Sequence, residues 1–235
     1  MSVCFCTLAI GAPYRQLART LCAAPACGPW IVLTDEPGDF ADLPVRAIYH
    51  RPIGPMAPEY IKRWGPTGTD RGAAAAYHDR RFVLQAALEE HDTAIMLDAD
   101  STVSGGFPHI KVFPPGLAVL PLLGETIAEH LETWGSWRIP TFEELANDLI
   151  KDSAILHQAR WIHEACYAVT KDGNESRFFW AWEHGANFFQ RRGIESGEGG
   201  VIALAAAYAG WTRNDTALAP LLPFIQHQGG GPKKA

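Results

Sequence analysis

Short apolar runs alternate with amphipathic segments through the first half of the chain, and this alternation is the strongest constraint on its fold. The apolar runs are short enough for buried strands, and the segments between them carry apolar residues at helical spacing. The order strand, helix, strand, strand, helix, strand is typical of an open α/β sheet. The predicted strands are Val3–Ile10, Trp30–Leu33, Val45–Tyr49 and Thr93–Leu97, the predicted helices are Tyr14–Ala23 and Ala73–Glu90, and Pro52–Gly72 is a predicted loop.

The second half of the chain continues the pattern, and a length of 235 residues favours a single domain. Thr141 is the predicted N-cap of a helix, because Glu144 follows three residues later and completes a capping box. The predicted elements of this half are the strands Leu117–Leu122 and Cys166–Thr170 and the helices Thr141–Ile150, Glu175–Arg192 and Glu198–Tyr208.

The charge of the chain limits its partners. The formal net charge is −6, and no basic cluster offsets it, so we expect no nucleic-acid partner. A negative chain that holds a negative substrate needs a local device, such as a bound metal, a helix N-terminus or a few placed arginines. No apolar run approaches the roughly 18 residues of a membrane span, so no transmembrane segment is expected.

The cysteines indicate a reducing compartment. Their number is five, which is odd, and the chain opens on an apolar strand without the pattern of a secretory leader. We therefore expect reduced thiols and a cytoplasmic protein. Cys4 and Cys6 lie two residues apart on a predicted strand and share one face. Because no CxxC pair follows, we expect them to be buried packing thiols and not zinc ligands.

Polar residues stand at or near the ends of the predicted strands. Thr7 lies near the end of the first, Asp35 follows the second and Asp98 follows the fourth. In an open α/β sheet, ligands bind outside the carboxyl ends of the strands. We therefore expect these residues to converge on a functional edge.

Asp98 and Asp100 form an acidic pair at the end of the apolar run 94–97. Two carboxylates at this spacing repel each other unless a cation lies beside them. Hard divalent ions with oxygen ligands suit such a pair, and Mg²⁺ or Mn²⁺ would bridge it to phosphates. The alternative is a solvated turn after a strand, where Asp is common. Because the buried strand aims both carboxylates at the predicted edge, a metal site is favoured.

The segment Ile95-Met96-Leu97-Asp98-Ala99-Asp100 resembles the strand and DxD motif of GT-A glycosyltransferases. The likeness is greatest to the retaining glycogenin-type and bacterial galactosyltransferase-like enzymes. It extends over most of the chain in order, and its other parts are Thr7-Leu8-Ala9 with Tyr14, the helical segment Arg81-Phe82-Val83-Leu84, and the late segment His227-Gln228-Gly229-Gly230-Gly231-Pro232-Lys233.

The resemblance implies a Rossmann-like mixed sheet flanked by helices and the transfer of a hexose from a UDP-linked nucleoside diphosphate sugar, with retention of configuration. It also implies a nucleotide-binding half over 1–103 and an acceptor-binding half over 104–235. The implied metal ligands are Asp98, Asp100 and His227, and the implied donor-binding residues are Thr7, Leu8, Ala9, Tyr14, Arg81, Asp98 and Lys233, to which we add Asp35 from its strand end.

Glu198 and Glu164 are the candidate catalytic carboxylates. Glu198 would contact sugar hydroxyls or the forming oxocarbenium ion. Glu164 and His163 stand just before a predicted strand, and one of them would face the donor sugar and the other the core. Each also has a structural reading, since an acidic residue favours the first turn of a helix such as the one predicted from Glu198. The family usually has Asn-x-Gly where this chain has His163-Glu164-Ala165-Cys166, and Asp-Gln where it has Glu198-Gly199-Gly200. These departures leave the sugar and the acceptor open.

Three other functions are compatible with parts of the sequence. Asp98-Ala99-Asp100-Ser101-Thr102 matches the nucleophile motif of haloacid-dehalogenase-like phosphatases, but that motif normally opens the fold and needs later paired acids. A sugar nucleotidyltransferase would need a Gly-rich basic phosphate loop after the first strand, which Thr7–Ala12 lacks. A binding protein that kept the fold without catalysis is the third.

Overall fold

The computed structural model describes residues 1–24, 28–51, 77–105, 113–121, 124–192, 194 and 196–227, without the side chains of Tyr77 and His227. Most of the predicted elements lie within these ranges. The predicted loop Pro52–Gly72, the start of the helix predicted from Ala73, and Lys233 lie outside them.

A mixed six-stranded sheet forms the centre of the protein, with the strand order β3-β2-β1-β4-β7-β6. The first four strands in this order are parallel, and β7 runs antiparallel to both β4 and β6. The prediction of an α/β fold with a mixed sheet is confirmed, and the arrangement is compatible with a Rossmann-like fold. The strands are β1 (Val3–Ala9), β2 (Trp30–Thr34), β3 (Val45–Tyr49), β4 (Thr93–Leu97), β6 (Gly116–Val119) and β7 (Cys166–Thr170).

Both faces of this sheet are covered, which explains why β2, β4 and β7 are buried along their whole length. On one face, α1 (Ala12–Cys22) packs over Phe5 and Ile95. The opposite face carries Cys4, Met96 and a larger helical layer. Its helices are α2 (Arg80–Glu90), α3 (Ile127–Trp134), α4 (Ile139–Leu149), α5 (Glu175–Arg191) and α6 (Glu198–Ala209).

The predicted capping box at Thr141 is wrong. Helix α4 begins two residues earlier, with Pro140 in its first turn, and Thr141 is buried within the helix. Pro is favoured in a first turn because its missing N–H has no partner there. The capping box lies instead on α3, where Thr126 accepts from the Glu129 N–H and Glu129 accepts from the Thr126 N–H. That helix was not predicted.

A small second sheet joins β5 (Ser101–Val103) to β8 (Ile225–His227) in antiparallel pairing. Three-residue strands are too short to show a period of two, so neither was predicted. The pairing sets His227 opposite Ser101, the residue that follows Asp100. It therefore brings a late segment of the chain beside the acidic pair.

The thiols behave as predicted for packing residues. Cys4, Cys6, Cys22 and Cys166 are free and buried, and Cys27 lies outside the described residues. Burial raises the pKa of Cys4 and of Cys22 to about 12, so both stay protonated and unreactive at neutral pH. Among the described helices, none has the length and apolar character needed to cross a membrane.

Candidate functional site

The carboxyl ends of β1, β2 and β4 meet at one edge of the sheet, because these strands are parallel neighbours. Asp35 follows β2 and Asp98 follows β4, so the predicted convergence of these two strand ends is confirmed. Thr7 is placed differently. It lies fully buried inside β1 opposite Val32, and its hydroxyl has no hydrogen-bond partner in the described part of the chain.

Arg80 is the residue that meets Asp98. Its Nη2 contacts Asp98 Oδ1, and its Nη1 donates to Glu198 Oε2 at 2.7 Å. The arginine belongs to the first turn of α2, and Glu198 is the first residue of α6. One planar guanidinium thus joins the acidic pair to a candidate catalytic carboxylate, although the two acids are far apart in sequence.

This group of charges is nearly closed to solvent. Burial alone would lower the pKa of Arg80, but the carboxylates of Asp98 and Glu198 outweigh it and raise that pKa above its ordinary value. The guanidinium therefore remains charged. Burial also raises the pKa of Glu198 well above its ordinary value, with Arg80 opposing it, and Tyr167 O–H donates to Glu198 Oε1 at 3.5 Å. One cation faces several buried acids.

Glu164 holds the start of α6. Its Oε1 accepts from the Gly199 N–H at 2.8 Å, so it satisfies a backbone donor that the first turn of a helix leaves open. Burial raises the pKa of Glu164. A side chain at Gly199 would overlap the carbonyl oxygen of Ile162 and lie 2.5 Å from Trp161 Nε1. The glycine therefore lets α6 approach the segment that carries Glu164.

A second contact runs parallel to the Arg80–Glu198 pair. His78 Nε2 lies 2.8 Å from Ser196 Oγ, and Trp182 Nε1–H donates to His78 Nδ1 at 3.1 Å. Because Nδ1 accepts, the proton of the neutral ring is on Nε2, which donates to Ser196. Burial, together with the charges of Arg81 and Arg80, lowers the pKa of His78 to about 3. Residues 78 and 80 are thereby joined to residues 196 and 198.

Arg81, the predicted donor-binding arginine, contacts residues near it in the sequence. Its Nη1 donates to the His78 carbonyl oxygen at 2.7 Å and lies 3.5 Å from Asp79 Oδ1, and its guanidinium stacks on the Phe82 ring. Arg80 was not predicted from the sequence. It stands three and four residues before the buried Val83 and Leu84, which places it on the core side of α2, but Arg81 is buried as well, so the spacing does not single out Arg80.

The β1–α1 segment predicted to hold the nucleotide lies at the same edge. Leu8 is half-buried on the larger helical face, Ala9 is buried against α1, and Tyr14 is half-buried in the first turn of α1. Asp35 is engaged with that turn, since its carboxylate accepts from the Gly11 N–H at 3.1 Å and from Arg15 Nη1 at 2.8 Å. It holds β2 to α1.

The described residues contain no group of three or more His, Cys, Asp or Glu side chains placed to hold a metal ion. Asp100 is buried directly before β5, and Asp98 contacts Arg80. The main chain of His227 pairs beside them, whereas its side chain and all of Lys233 lie outside the described residues. The pairing of β5 with β8 therefore brings the main chain of His227 beside the segment that follows Asp98 and Asp100.

Comparison with models of known protein families and with curated proteins finds no match to this chain. The candidate site therefore consists of residues at the edge of the sheet: Asp98 and Asp100 after β4, Arg80 and Glu198 behind them, and the β1–α1 segment beside them.

Proposed function

We propose that this protein is a metal-dependent hexosyltransferase that uses a nucleoside diphosphate sugar, with UDP as the nucleotide. The observation that carries the proposal is the acidic pair Asp98 and Asp100 at the carboxyl end of the central strand β4, beside the ends of β1 and β2. Ligands of open α/β sheets bind at this kind of edge. The pairing of β5 with β8 adds a late segment of the chain to the same place.

The proposal requires a divalent ion that shares its coordination with the substrate, because the described residues hold no group of three or more candidate ligands and Asp98 also contacts Arg80. Mg²⁺ is usually bound through one or two carboxylates together with substrate phosphates and water, so Asp98 and Asp100 suffice without a third protein ligand. The ion, Mg²⁺ or Mn²⁺, would supply positive charge to the diphosphate as it leaves. His227 remains a candidate for a further ligand.

Arg80 contacts both Asp98 and Glu198, so one guanidinium holds the two acids in place. We assign Glu198 to the sugar. Burial raises the pKa of Glu198 and the charge of Arg80 opposes that rise, so the ionised form depends on Arg80. That carboxylate would stabilise positive charge at the anomeric carbon as the glycosidic bond breaks. The hydrogen bond from Gly199 to Glu164 supports a positioning role for Glu164, which would orient Glu198 through the start of α6.

The experiment combines binding and turnover. We expect UDP to raise the melting temperature only with Mn²⁺ or Mg²⁺ present, and a panel of UDP-hexoses to reveal a donor through metal-dependent release of UDP. Asp100→Asn should abolish both effects. Asp148→Asn removes an aspartate that is about half exposed and pairs with His184, so it should change neither. A melting temperature that no nucleotide shifts, with metal included, would refute the proposal.

A phosphatase activity would give the opposite pattern. Hydrolysis of p-nitrophenyl phosphate that disappears in Asp98→Asn, without any release of UDP from sugar donors, would assign Asp98 as a phosphate nucleophile. The proposed transferase should leave p-nitrophenyl phosphate intact. The melting temperature of Asp98→Asn should be measured in parallel, because this residue is also a partner of Arg80.

A further inference from the structure

A cavity of about 490 Å³ lies at the outer edge of the larger helical face, between strand β6, the helical turn Ser153–His157 and the second half of α6. Its volume is in the range of small-molecule sites. None of the residues that line it belongs to the group around Arg80. The cavity is therefore a second feature, independent of the proposed transferase site.

The floor of the cavity is apolar. Leu117 and Ile162 are almost fully buried there, and Ile155 closes one side. Helix α6 contributes Ala203 and Ala206, which are too short to fill the space between α6 and β6. Such a floor accepts a hydrocarbon body and offers it no polar partner.

Two arginines lie at the mouth of the cavity. Arg160 and Arg213 both line it, and both contact the same carboxylate, that of Asp215. Arg160 Nη1 lies 3.3 Å from Asp215 Oδ2, and Arg213 Nη1 also donates to the Trp161 carbonyl oxygen at 2.6 Å. Arg160 therefore shares the Asp215 carboxylate with a second arginine, and its side chain is 54% exposed, so its guanidinium can reach a ligand.

We propose that this cavity binds a small amphipathic anion, with an alkyl body on the floor and a carboxylate or phosphate group at Arg160. The apolar floor would bind the alkyl body of such a ligand, and Arg160 at the mouth would bind its anionic group. A neutral alcohol would form no ion pair with the Arg160 guanidinium, and an alkylammonium ion would be repelled by it. An arginine fork accepts either anion, so the chemistry shared by a fatty acid and an alkyl phosphate is what the site recognises.

The first test is calorimetric titration of the full chain with octanoate, decanoate, decyl phosphate, decanol and decylammonium, all below their micelle concentrations. We expect the anions to bind, decanoate about tenfold more tightly than octanoate because two further methylenes are buried, and the other two ligands to bind at least tenfold more weakly. The affinities of decanoate and decyl phosphate, compared with each other, show which anion the site prefers. Absence of binding by both anions would overturn the proposal.

Single substitutions test whether the ligand binds in this cavity. Arg160→Gln should weaken decanoate about tenfold through the loss of a charged hydrogen bond, and leave decanol unchanged. Arg46→Gln is the matched control, since Arg46 is also about half exposed and pairs with one carboxylate, that of Glu90, but lies on β3. Ala206→Leu should fill the floor and abolish binding. If Ala206→Leu unfolds, Arg160→Gln still decides, because equal affinity in Arg160→Gln and the native chain refutes the site.

Discussion

Two arginine–carboxylate groups lie at the same edge of the sheet, and they differ mainly in burial. Arg80 joins Asp98 to Glu198, with side-chain exposures of 9% for the arginine and 2% for Glu198. Arg15 joins Asp35 to Asp39, and the Asp39 side chain is 43% exposed. Each guanidinium contacts two carboxylates, so the two groups have the same ion-pair chemistry. They differ in how far their side chains are exposed to solvent.

The contrast shows what an ion pair contributes in each setting. At the surface, water competes for both partners and salt screens them, so a pair stabilises the fold little. In the interior, the pair offsets a large desolvation cost, and removal of one partner leaves a charge without compensation. The Arg80 group is therefore costly to disturb.

The largest predicted effect follows from replacing Arg80. Arg80→Gln leaves Asp98 and Glu198 buried without their cation, and we expect a loss of about 3–5 kcal/mol in the free energy of unfolding, measured by urea denaturation. Adding Glu198→Gln to this variant should restore part of the loss, because it removes one of the uncompensated charges. If Arg80→Gln lowers the free energy of unfolding by less than about 1 kcal/mol, the buried Arg80 group stabilises the fold no more than the Arg15 group does.

The second prediction concerns the packing that carries Glu198. Gly199→Ala places a methyl group against the Ile162 carbonyl oxygen, and we expect a loss of about 2–3 kcal/mol in the free energy of unfolding. Gly124→Ala is the control, since an added methyl group there meets no atom within 4 Å. Equal stability of the two variants would mean that the start of α6 can shift, and that the Arg80–Glu198 contact is less rigid than its geometry indicates.

The third prediction concerns acid sensitivity near the buried group. The pKa of His78 falls from 6.5 to about 3 on folding, so the unfolded chain binds a proton below pH 6.5 that the folded chain does not. Stability present above pH 6.5 is therefore lost as the pH falls towards 3, by at most about 1.4 kcal/mol for each pH unit.

His78→Gln should lower this slope between pH 6.5 and 5, in urea titrations at several pH values. Glutamine keeps one donor and one acceptor for Ser196 and Trp182. His157→Gln, which replaces an exposed histidine in the same way, is the matched control variant. If both variants keep the native slope, the His78 ring is open to protons and this part of the site is more exposed than the Arg80 group.

The sequence predicted the sheet well because both of its faces are covered. Buried parallel strands appear as continuous apolar runs, and β2, β4 and β7 do so. The predictions failed where tertiary contacts determine whether a strand forms or where a helix begins. Strands β5 and β8 are stable only as each other's partners, and Pro140 extends α4 past the residue that matched a cap.

The candidate site was predicted in part. Asp98 was found because it follows an apolar strand, and this local pattern survives in the fold. Arg80 was missed because the neighbouring Arg80 and Arg81 are both buried on α2, and the sequence does not show which of them contacts the acids of the site. The partnership of Arg80 with Glu198 joins α2 to α6, and no local pattern contains that contact.

The smallest predicted effect follows from replacing Arg15, which belongs to the more exposed of the two arginine–carboxylate groups. Arg15→Gln should lower the free energy of unfolding by roughly 1 kcal/mol or less, and this loss should shrink further in high salt because screened partners contribute less in the native chain. The loss for Arg80→Gln should change little with salt, since ions do not reach a buried pair. Urea denaturation of both variants at low and high ionic strength measures the contrast directly. A salt-independent loss of several kcal/mol for Arg15→Gln would show that Asp35 and Asp39 are as dependent on their arginine as Asp98 and Glu198 are, and that proximity to the ligand edge, rather than burial, decides the cost.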